Sequence, residues 1–548
     1  MKTHFCKTLT FVLLFLLAGS TIFALNTDRL FIKVEKKDLK QYVIIRKSLL
    51  DNNPGQIDTI SSFPHNQQRE TSCAFFEIWM VHPDIVQDIM QAFSGIANVI
   101  PEHQSPGTLK EEEYSDYSPY DCDNLWYLEA INYGDCFQNL DTATIAIIDD
   151  GIDINHVALR NNIWVNQGEI PENWQWLDTN HNGIIESGEI YNEFQDFHAA
   201  LTTLSDTEDN DGNGYVDDIF GWNFVGNNNN VFPELEASHG THMAGINHSI
   251  AENALLMPLK CFYSDRAFLG NIIASIVYAQ SKNTQVGNCS FGYFNSDDIP
   301  EINDLTQILY ETMQCADKVL FACSAGNDIP NNNNDVNFHY PSNFSSNMPH
   351  LGVGLNNVIS VGGINEEYQS VYNFGIYTVD LMAPATYICS TIPNNGYAMR
   401  EGTSCSAAMG SAAAALWYSD NPSLSPAEIK QKIRNTATNY GLPCSTGGIL
   451  TLCSSKGYYN NKTQQSTGVE QVGGNLSIYP NPVSNLLTVS GIKEPTVVTV
   501  CSISGSIMQI TELNSGSTEI NVNNLANGVY ILKLQTATNV VVKRFIKQ

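Results

Sequence analysis

Between residues 118 and 455, short apolar runs alternate with stretches of helical length. Thr144–Ile148, Leu255–Lys260, Val286–Ser290, Val319–Cys323 and Val358–Val361 read as strands buried on both faces. Ile272–Gln280 and Leu305–Cys315 lie between them as helical stretches. Alternation of this kind predicts an α/β fold, a parallel β-sheet with helices on both faces. In such sheets chemistry gathers beyond the carboxyl ends of the strands, so the residues after each run bear on function first.

Asp149 follows the first run directly and is succeeded by Asp150-Gly151-Ile152-Asp153. A carboxylate at a strand end can be held rigidly and partly desolvated, although Asp-Gly is also an ordinary way to end a strand. His239 opens His239-Gly240-Thr241-His242-Met243-Ala244-Gly245, where small residues let a second element pack against the ring. A lone histidine there reads equally as a helix cap or a core residue. Glu401-Gly402-Thr403-Ser404-Cys405-Ser406-Ala407-Ala408-Met409-Gly410 places Ser404 at the mouth of an Ala-rich helix. Free N–H groups and the positive end of the helix dipole can stabilise an oxyanion beside such a serine. A serine hydroxyl is a weak nucleophile alone and needs a base, and the base needs an orienting acid. His239 and Asp149 are the upstream candidates for the two.

The three segments, in the order Asp149, His239, Ser404, resemble the signature segments of subtilisin-like serine peptidases. Ala325-Gly326-Asn327 resembles that family's oxyanion-hole segment, with Asn327 as side-chain donor. Ser290-Phe291-Gly292 resembles its substrate-pairing strand, and Ser324, Ala325 and Gly326 fall at matching substrate-binding positions. Ala383-Pro384 and Asn421–Ile429 also fall where the family has similar stretches. The resemblance covers most of 118–455 and implies acyl transfer through Asp149, His239, Ser404 and Asn327. Phe291, Ser324, Ala325 and Tyr340 resemble pocket-wall positions. No acidic residue stands among them, so an apolar or small residue before the scissile bond is expected. The chain also departs from the pattern. Asp150 stands where Thr or Ser is usual, and Ala408-Met409 stands near the usual Pro-His. Two carboxylates in a row could perturb His239, although adjacent strand side chains point apart. Cys405 reads as a buried thiol that would make the enzyme sensitive to mercurials if reagent could reach it. The competing reading is a catalytically weak surface binding protein on the same fold.

Two Asx-rich loops lie between Asp149 and His239. Asp178–Glu189 has oxygen-bearing side chains at positions 1, 3, 5, 9 and 12, namely Asp178, Asn180, Asn182, Glu186 and Glu189. Gly183 is at position 6, and Ile184 would offer its carbonyl. Those are calcium-loop spacings. Asp209–Asp218 begins the same way with Asp209, Asp211 and Asn213. It lacks a carboxylate at position 12, so Asp217 or Asp218 would close a more compact site. Structural Ca²⁺ is expected at both, and no cofactor is needed for catalysis.

The ends of the chain define its route. Residues 1–24 carry Lys2 and Lys7 ahead of an apolar run and read as a signal peptide. Residues 25–115 form an α+β unit read as a propeptide. It ends in Glu111–Asp116, an acidic, exposed-looking segment suited to nicking. Residues 456–474 read as a linker. Residues 475–548 have short β-runs with turn signals and predict a small all-β sandwich. Tyr479-Pro480-Asn481-Pro482, Leu525–Tyr530 and Lys543 resemble the C-terminal sorting domain of type IX secretion, which implies passage through the periplasm to the cell surface or beyond. The formal net charge of −30 argues against nucleic acid or an anionic membrane as partner. No second stretch is long and apolar enough to span a membrane in the mature chain. Expected partners are protein or peptide substrates, the chain's own propeptide and the outer-membrane secretion machinery. Of the thirteen cysteines, Cys444 with Cys453 and Cys122 with Cys136 are close enough to close small loops. Cys261, Cys289 and Cys323 read as buried thiols.

Overall fold

The computed structural model describes residues 28–101, 113–117, 125–453 and 477–547, apart from short breaks. The expected signal peptide and linker lie outside the described residues. The chain divides into two compact units, one reaching Lys456 and one from Gly457 onward.

The first unit opens with β1 (Asp28–Glu35), α1 (Leu39–Asn52), β2 (Ile57–Phe63), β3 (Ala74–Val81), α2 (Val86–Ala92) and β4 (Asn98–Pro101). The strands pair antiparallel in the order β2-β3-β1-β4. Strand alternation divides β1 between two cores. Leu30, Ile32 and Val34 pack with Tyr42, Trp79 and Phe93 inside this small layer. Phe31, with Ile78 and Ile100, joins the core of the following body. Arg29 and Lys33 share the Phe31 face. The Arg29 guanidinium stacks 4.2 Å from the Phe268 ring centroid and bonds Asn271, and Lys33 pairs with Glu311.

β5 (Glu113–Tyr117) and α3 (Trp126–Ala130) then lead into β6 (Thr144–Asp149). α4 (Ser187–Phe194), α5 (Phe197–Leu204) and β7 (Trp222–Asn223) precede α6 (His239–Ile250) and β8 (Leu255–Lys260). A two-residue hairpin, β9 (Phe262–Tyr263) and β10 (Arg266–Ala267), leads to α7 (Leu269–Ser281), β11 (Val286–Cys289) and β12 (Tyr293–Phe294). After α8 (Pro300–Cys315) come β13 (Leu320–Ser324), β14 (His339–Tyr340), β15 (Val358–Ile364), β16 (Ser370–Val371) and β17 (Leu381–Pro384). β18 (Ile388–Ile392) and β19 (Gly396–Arg400) form a hairpin ahead of α9 (Thr403–Asp420) and α10 (Pro426–Thr436). β20 (Thr438–Asn439) and β21 (Gly448–Ile449) close the unit.

The central sheet runs β20-β21-β17-β15-β13-β11-β6-β8-β7, and its interior pairings are parallel. Each strand feeds a separate core on each face. Ile145 and Ile147 pack with Met243, Ala412 and Leu416 on the α6 and α9 side. Ala146 and Ile148 pack with Ile273, Leu309 and Phe321 on the α7 and α8 side. Burial on both faces is why these strands read as unbroken apolar runs. It also gives Asp149, an odd-numbered neighbour of Ile147, the α6 side.

Cys261, Cys289 and Cys323 are buried free thiols, as expected. Cys444 is also free, whereas Cys453 is disulfide-bonded, so the short loop between them is not closed. Gly447 N–H bonds the Cys444 carbonyl and Cys444 Sγ sits 3.5 Å from the Gly448 carbonyl, a turn that holds the thiol locally. Of the acidic segment Glu111–Asp116, the described residues 113–116 belong to β5, which pairs antiparallel with β19.

The second unit holds β22 (Ser477–Tyr479), β23 (Leu486–Ile492), β24 (Thr496–Ser502), β25 (Ile507–Leu513), β26 (Gly516–Asn521), β27 (Gly528–Gln535) and β28 (Val540–Lys547). Two antiparallel sheets, β22-β23-β26 and β25-β24-β27-β28, share a core of Leu487, Val489, Val500, Ile520, Leu532 and Phe545. This is a small β-sandwich.

Candidate active site

The carboxyl ends of β6, β11 and β13 meet the N-termini of α6 and α9 along one edge of the central sheet. Asp149 is the last residue of β6 and His239 the first of α6. His239 Nδ1 lies 2.7 and 2.8 Å from the two carboxylate oxygens of Asp149, and both residues are buried. Nδ1–H therefore donates to Asp149, which leaves Nε2 as the basic nitrogen of the neutral ring. The approach requires glycine at 240. A Cβ there would stand 2.3 Å from the Gly151 carbonyl oxygen and 3.0 Å from Asp149 Cβ.

Asp150 lies one residue past the end of β6, so strand alternation no longer turns it away from its neighbour. Its carboxylate accepts the N–H groups of His239 at 3.1 Å and Gly240 at 2.7 Å. It caps α6, a role that Ser238 at the preceding position does not take with its side chain. Burial, reinforced by the Asp149 charge, pushes the Asp150 carboxyl up to about 7, against the pull of His239 and the two N–H donors.

Ser404 is the second residue of α9, after Gly402 as N-cap with φ +136°. Its Oγ donates to the Ser290 carbonyl at 3.0 Å, and Ser290 Oγ donates back to the Ser404 carbonyl at 2.9 Å. Ser404 thus rests on the strand expected to pair with substrate rather than on His239. Asn327 stands across the same helix mouth. Its Oδ1 accepts Thr403 N–H and Thr403 Oγ1–H, both at 2.8 Å. Thr403 Oγ1 in turn accepts the Gly326 N–H at 3.0 Å. Thr403 therefore fixes which end of the Asn327 amide faces the cleft, a duty the sequence reading did not assign. Only the proximity of Gly402-Thr403 to Asn327 in the fold reveals it.

Ser290, Phe291 and Gly292 continue from β11, and Ser324 ends β13 with Ala325 and Gly326 following it. Ser324 Oγ donates to the Phe291 carbonyl at 3.2 Å, tying the two segments together. Asn373 and Asn334 both donate to the Ala325 carbonyl, at 3.1 and 2.8 Å. Ala408 and Met409, the departures downstream of Ser404, are fully buried in the α6–α9 core and fill packing positions. Cys405 is equally buried there.

The profile of the Subtilase family matches residues 141–474, more than half of the chain. The chain belongs to the subtilase family. A second profile, described as a secretion system C-terminal sorting domain, matches residues 477–548, and this subtilase is accordingly a secreted or cell-surface protein. It is 29% identical over 317 residues to "Subtilisin-like protease 1" of Plasmodium vivax, covering 53% of this chain and 43% of the relative. It is 27% identical over 309 residues to "Cell wall-associated protease" of Bacillus subtilis (strain 168), covering 52% and 31%. The chain thus spans less than half the length of these relatives. Among solved structures, an epidermin leader peptide processing serine protease from Staphylococcus aureus aligns with TM-score 0.51 at 16% identity, over 80% of this chain and all of that one. It shares the fold. Among the described residues no helix is long and apolar enough to cross a membrane.

The two Asx-rich loops of this subtilase differ. In the first, Asp178 accepts the N–H groups of Asn182 and Gly183, Asn180 accepts that of Asn182, and Asn182 accepts that of Ile184. The amide NH₂ groups of Asn180 and Asn182 converge on Glu186 at 2.7 and 2.9 Å. Glu189 folds back onto Thr179, Asn180 and Glu186 N–H groups; burial raises its carboxyl, but these donors hold it below its usual value. The five residues at the ligand spacings, Asp178, Asn180, Asn182, Glu186 and Glu189, all offer oxygen and three are carboxylates, which fits a hard cation such as calcium.

In the second loop Asp209 and Asp211 hold the N–H groups of Asn213 and Gly214, and Asn213 holds that of Tyr215. Asp217 does not join them. It sits at φ +57° and its carboxylate accepts the N–H groups of Asp206 and Thr207. Asp218 takes the inward place instead. Asp211, Asp218 and the distant Glu169 bring carboxylate oxygens within 4.8 Å of one another. Burial, with the neighbouring carboxylates adding to it, pushes Glu169 up to about 7; burial above all pushes Asp218 up to about 6. Lys282 reaches Asp211 at 2.5 Å and Asp218 at 3.3 Å, and Tyr278 OH donates to Asp218. No local spacing could have shown Glu169, which is 42 residues from Asp211.

Proposed function

We propose that this subtilase is a secreted serine endopeptidase that hydrolyses peptide bonds of proteins or peptides through an acyl-enzyme intermediate. The observation that carries the reading is the buried Asp149–His239 pair on the same sheet edge as Ser404 and Asn327. Ser404 Oγ forms a bond to the scissile carbonyl carbon while its proton passes to His239 Nε2. The tetrahedral oxygen takes hydrogen bonds from the Asn327 amide and the Ser404 N–H. His239 then gives the proton to the departing amine, and water repeats the sequence on the acyl group. Asp149 keeps the ring in the tautomer that makes Nε2 basic and stabilises the imidazolium. The resting bond from Ser404 to the Ser290 carbonyl fits this scheme. A substrate N–H that takes that carbonyl frees the hydroxyl to turn to His239.

The N-terminal layer supports the propeptide reading, since Phe31, Ile78 and Ile100 bury themselves against the α7–α8 face with Arg29 and Lys33 beside them. The sorting tail supports the secretion machinery as a partner. Calcium, bound by Asp178, Asn180, Asn182, Glu186 and Glu189 with the Ile184 carbonyl, would neutralise and cross-link the first loop. A second ion would use Glu169, Asp209, Asp211, Asn213 and Asp218.

The deciding experiment is fluorophosphonate labelling of the secreted, processed protein beside Ser404→Ala. Labelling lost only in the variant is expected. A processed wild type that does not label would overturn the enzyme reading in favour of a binding protein on this fold.

A further inference from the structure

Gly292 and Gly326, one on each segment beside Ser404, face the same side chain. A Cβ at Gly292 would lie 1.9 Å from His339 Cε1 and 2.4 Å from Nε2. A Cβ at Gly326 would lie 2.9 Å from Nε2 and 3.0 Å from Cδ2. The outer edge of the imidazole is therefore wedged between the two glycines, and any other residue at either would displace it. The ring is also held from behind. β14 pairs with β12 so that His339 stands opposite Phe294, whose ring meets it edge-on with centroids 5.2 Å apart. Asn343 Oδ1 accepts the His339 N–H at 3.0 Å.

Hydrogen bonding sets the tautomer. Ser342 Oγ spends its one proton on the His339 carbonyl at 2.9 Å, so at 3.2 Å it accepts from His339 Nδ1–H. Nε2, on the glycine side, is left as a lone-pair acceptor. Burial, opposed by the Asp328 charge, drives the imidazole down to about 4, so the ring is neutral at ordinary pH. Asp328 is anchored by Asn373 Nδ2, which also holds the Ala325 carbonyl.

If the acyl carbonyl sits between Ser404 Oγ and the Asn327 amide, the side chain of the acyl residue enters the gap between 290–292 and 324–326. We propose that His339 forms the floor of that gap and selects a polar residue bearing an N–H donor, glutamine or lysine, before the scissile bond. The proposal rests on the peptidase reading and replaces the expectation of an apolar or small residue. An acceptor floor with a nearby carboxylate leaves a leucine or phenylalanine unable to satisfy Nε2, and an unpaired buried acceptor is what makes such sites discriminate.

The test uses the processed enzyme on four peptides identical except for Gln, Lys, Leu or Phe before the cleaved bond. Wild type should favour Gln or Lys over Leu and Phe by at least about tenfold in kcat/KM. His339→Ala should shift the Phe-to-Gln ratio by about tenfold or more toward Phe, because it removes the acceptor and opens the floor. His339→Gln, which keeps an acceptor oxygen, should retain the polar preference and covers the case in which the alanine variant fails to fold. Wild-type preference for Leu or Phe, or ratios unmoved in a folded variant, would overturn the floor role while fluorophosphonate labelling still upheld the peptidase. No turnover together with no labelling would overturn both.

Discussion

At the carboxyl edge of the sheet each carboxylate has a donor aimed at it from a regular element. Asp149 receives the His239 ring and the Asp150 N–H, and Asp150 receives the first two N–H groups of α6. In the loops at 178–189 and 209–218, carboxylates also take backbone N–H groups, but they face one another or side-chain amides as well, and one ammonium, Lys282, is shared between Asp211 and Asp218. The edge is complete with protein groups alone, whereas the loops fall short of charge balance. Chemistry should therefore depend on the edge, and the loops should govern how long the edge survives.

Substitutions at the oxyanion corner press hardest on that division. Asn327→Ala should lower kcat by on the order of 10²–10³ with KM nearly unchanged, and should lower the melting temperature by a few degrees at most, because the Thr403 N–H and Oγ1–H lose their acceptor. Thr403→Val should cost about tenfold in kcat, because it removes one of the two bonds that orient the Asn327 amide, keeping only the backbone one, and leaves the Gly326 N–H unpaired without removing the oxyanion donor. Steady-state kinetics beside thermal melts checks both. Equal losses in the two variants would mean that Thr403 does more than hold the amide.

Chelation should show the opposite profile. Removing calcium should lower the melting temperature by roughly 5–10 °C, from about 3 kcal/mol of linked binding at a hundredfold excess over Kd. The kcat of protein still folded should not change. Asp178→Ala and Asp211→Ala assign the effect to one loop or the other. Lys282→Ala sharpens the contrast, since it strips the ammonium from Asp211 and Asp218 and should deepen the dependence on calcium. Loss of kcat on chelation with no change in melting would break the comparison.

How far the sequence could be read follows from the same contrast. The parallel sheet was legible because strands buried on both faces must be apolar throughout, and Asp149, His239 and Ser404 were legible because each abuts a strand end or helix start. Asp178–Glu189 was legible because its groups are consecutive. Contacts made only by folding were hidden: Glu169 against Asp211, Thr403 against Asn327, His339 between two glycines. Asp217 and Asp218 could not be separated by spacing, since a positive φ at Asp217 decides which carboxylate turns inward.

Asp150 offers a subtler test within the edge. Its carboxyl binds a proton more tightly in the folded chain than in the unfolded one, so its contribution to stability is full below about pH 4 and is lost as pH rises through about 7. Asp150→Asn should flatten that decline. It also removes a negative charge beside His239, which makes the imidazolium less favourable. The acidic limb of the kcat/KM profile should move to lower pH, by up to about one unit. A shift to higher pH would mean that the lost helix cap, rather than the lost charge, dominates at His239.

The smallest effect is expected at Cys405, the residue beside the nucleophile that invites a thiol-based reading. Ser404 faces the cleft, but the next residue along α9 turns about 100° around the helix. That rotation carries Cys405 into the core among Ala408, Met409 and Tyr127, with no exposed surface. A thiol there cannot meet a reagent without local unfolding. Mercurials should leave the folded, calcium-loaded enzyme active over the time needed to label an exposed cysteine. Cys405→Ala should keep kcat within about twofold and cost roughly 1 kcal/mol through the small void it leaves. Rapid inactivation of wild type that Cys405→Ala prevents would show that the first turn of α9 opens in solution, and the edge would then be less rigid than its hydrogen bonds imply.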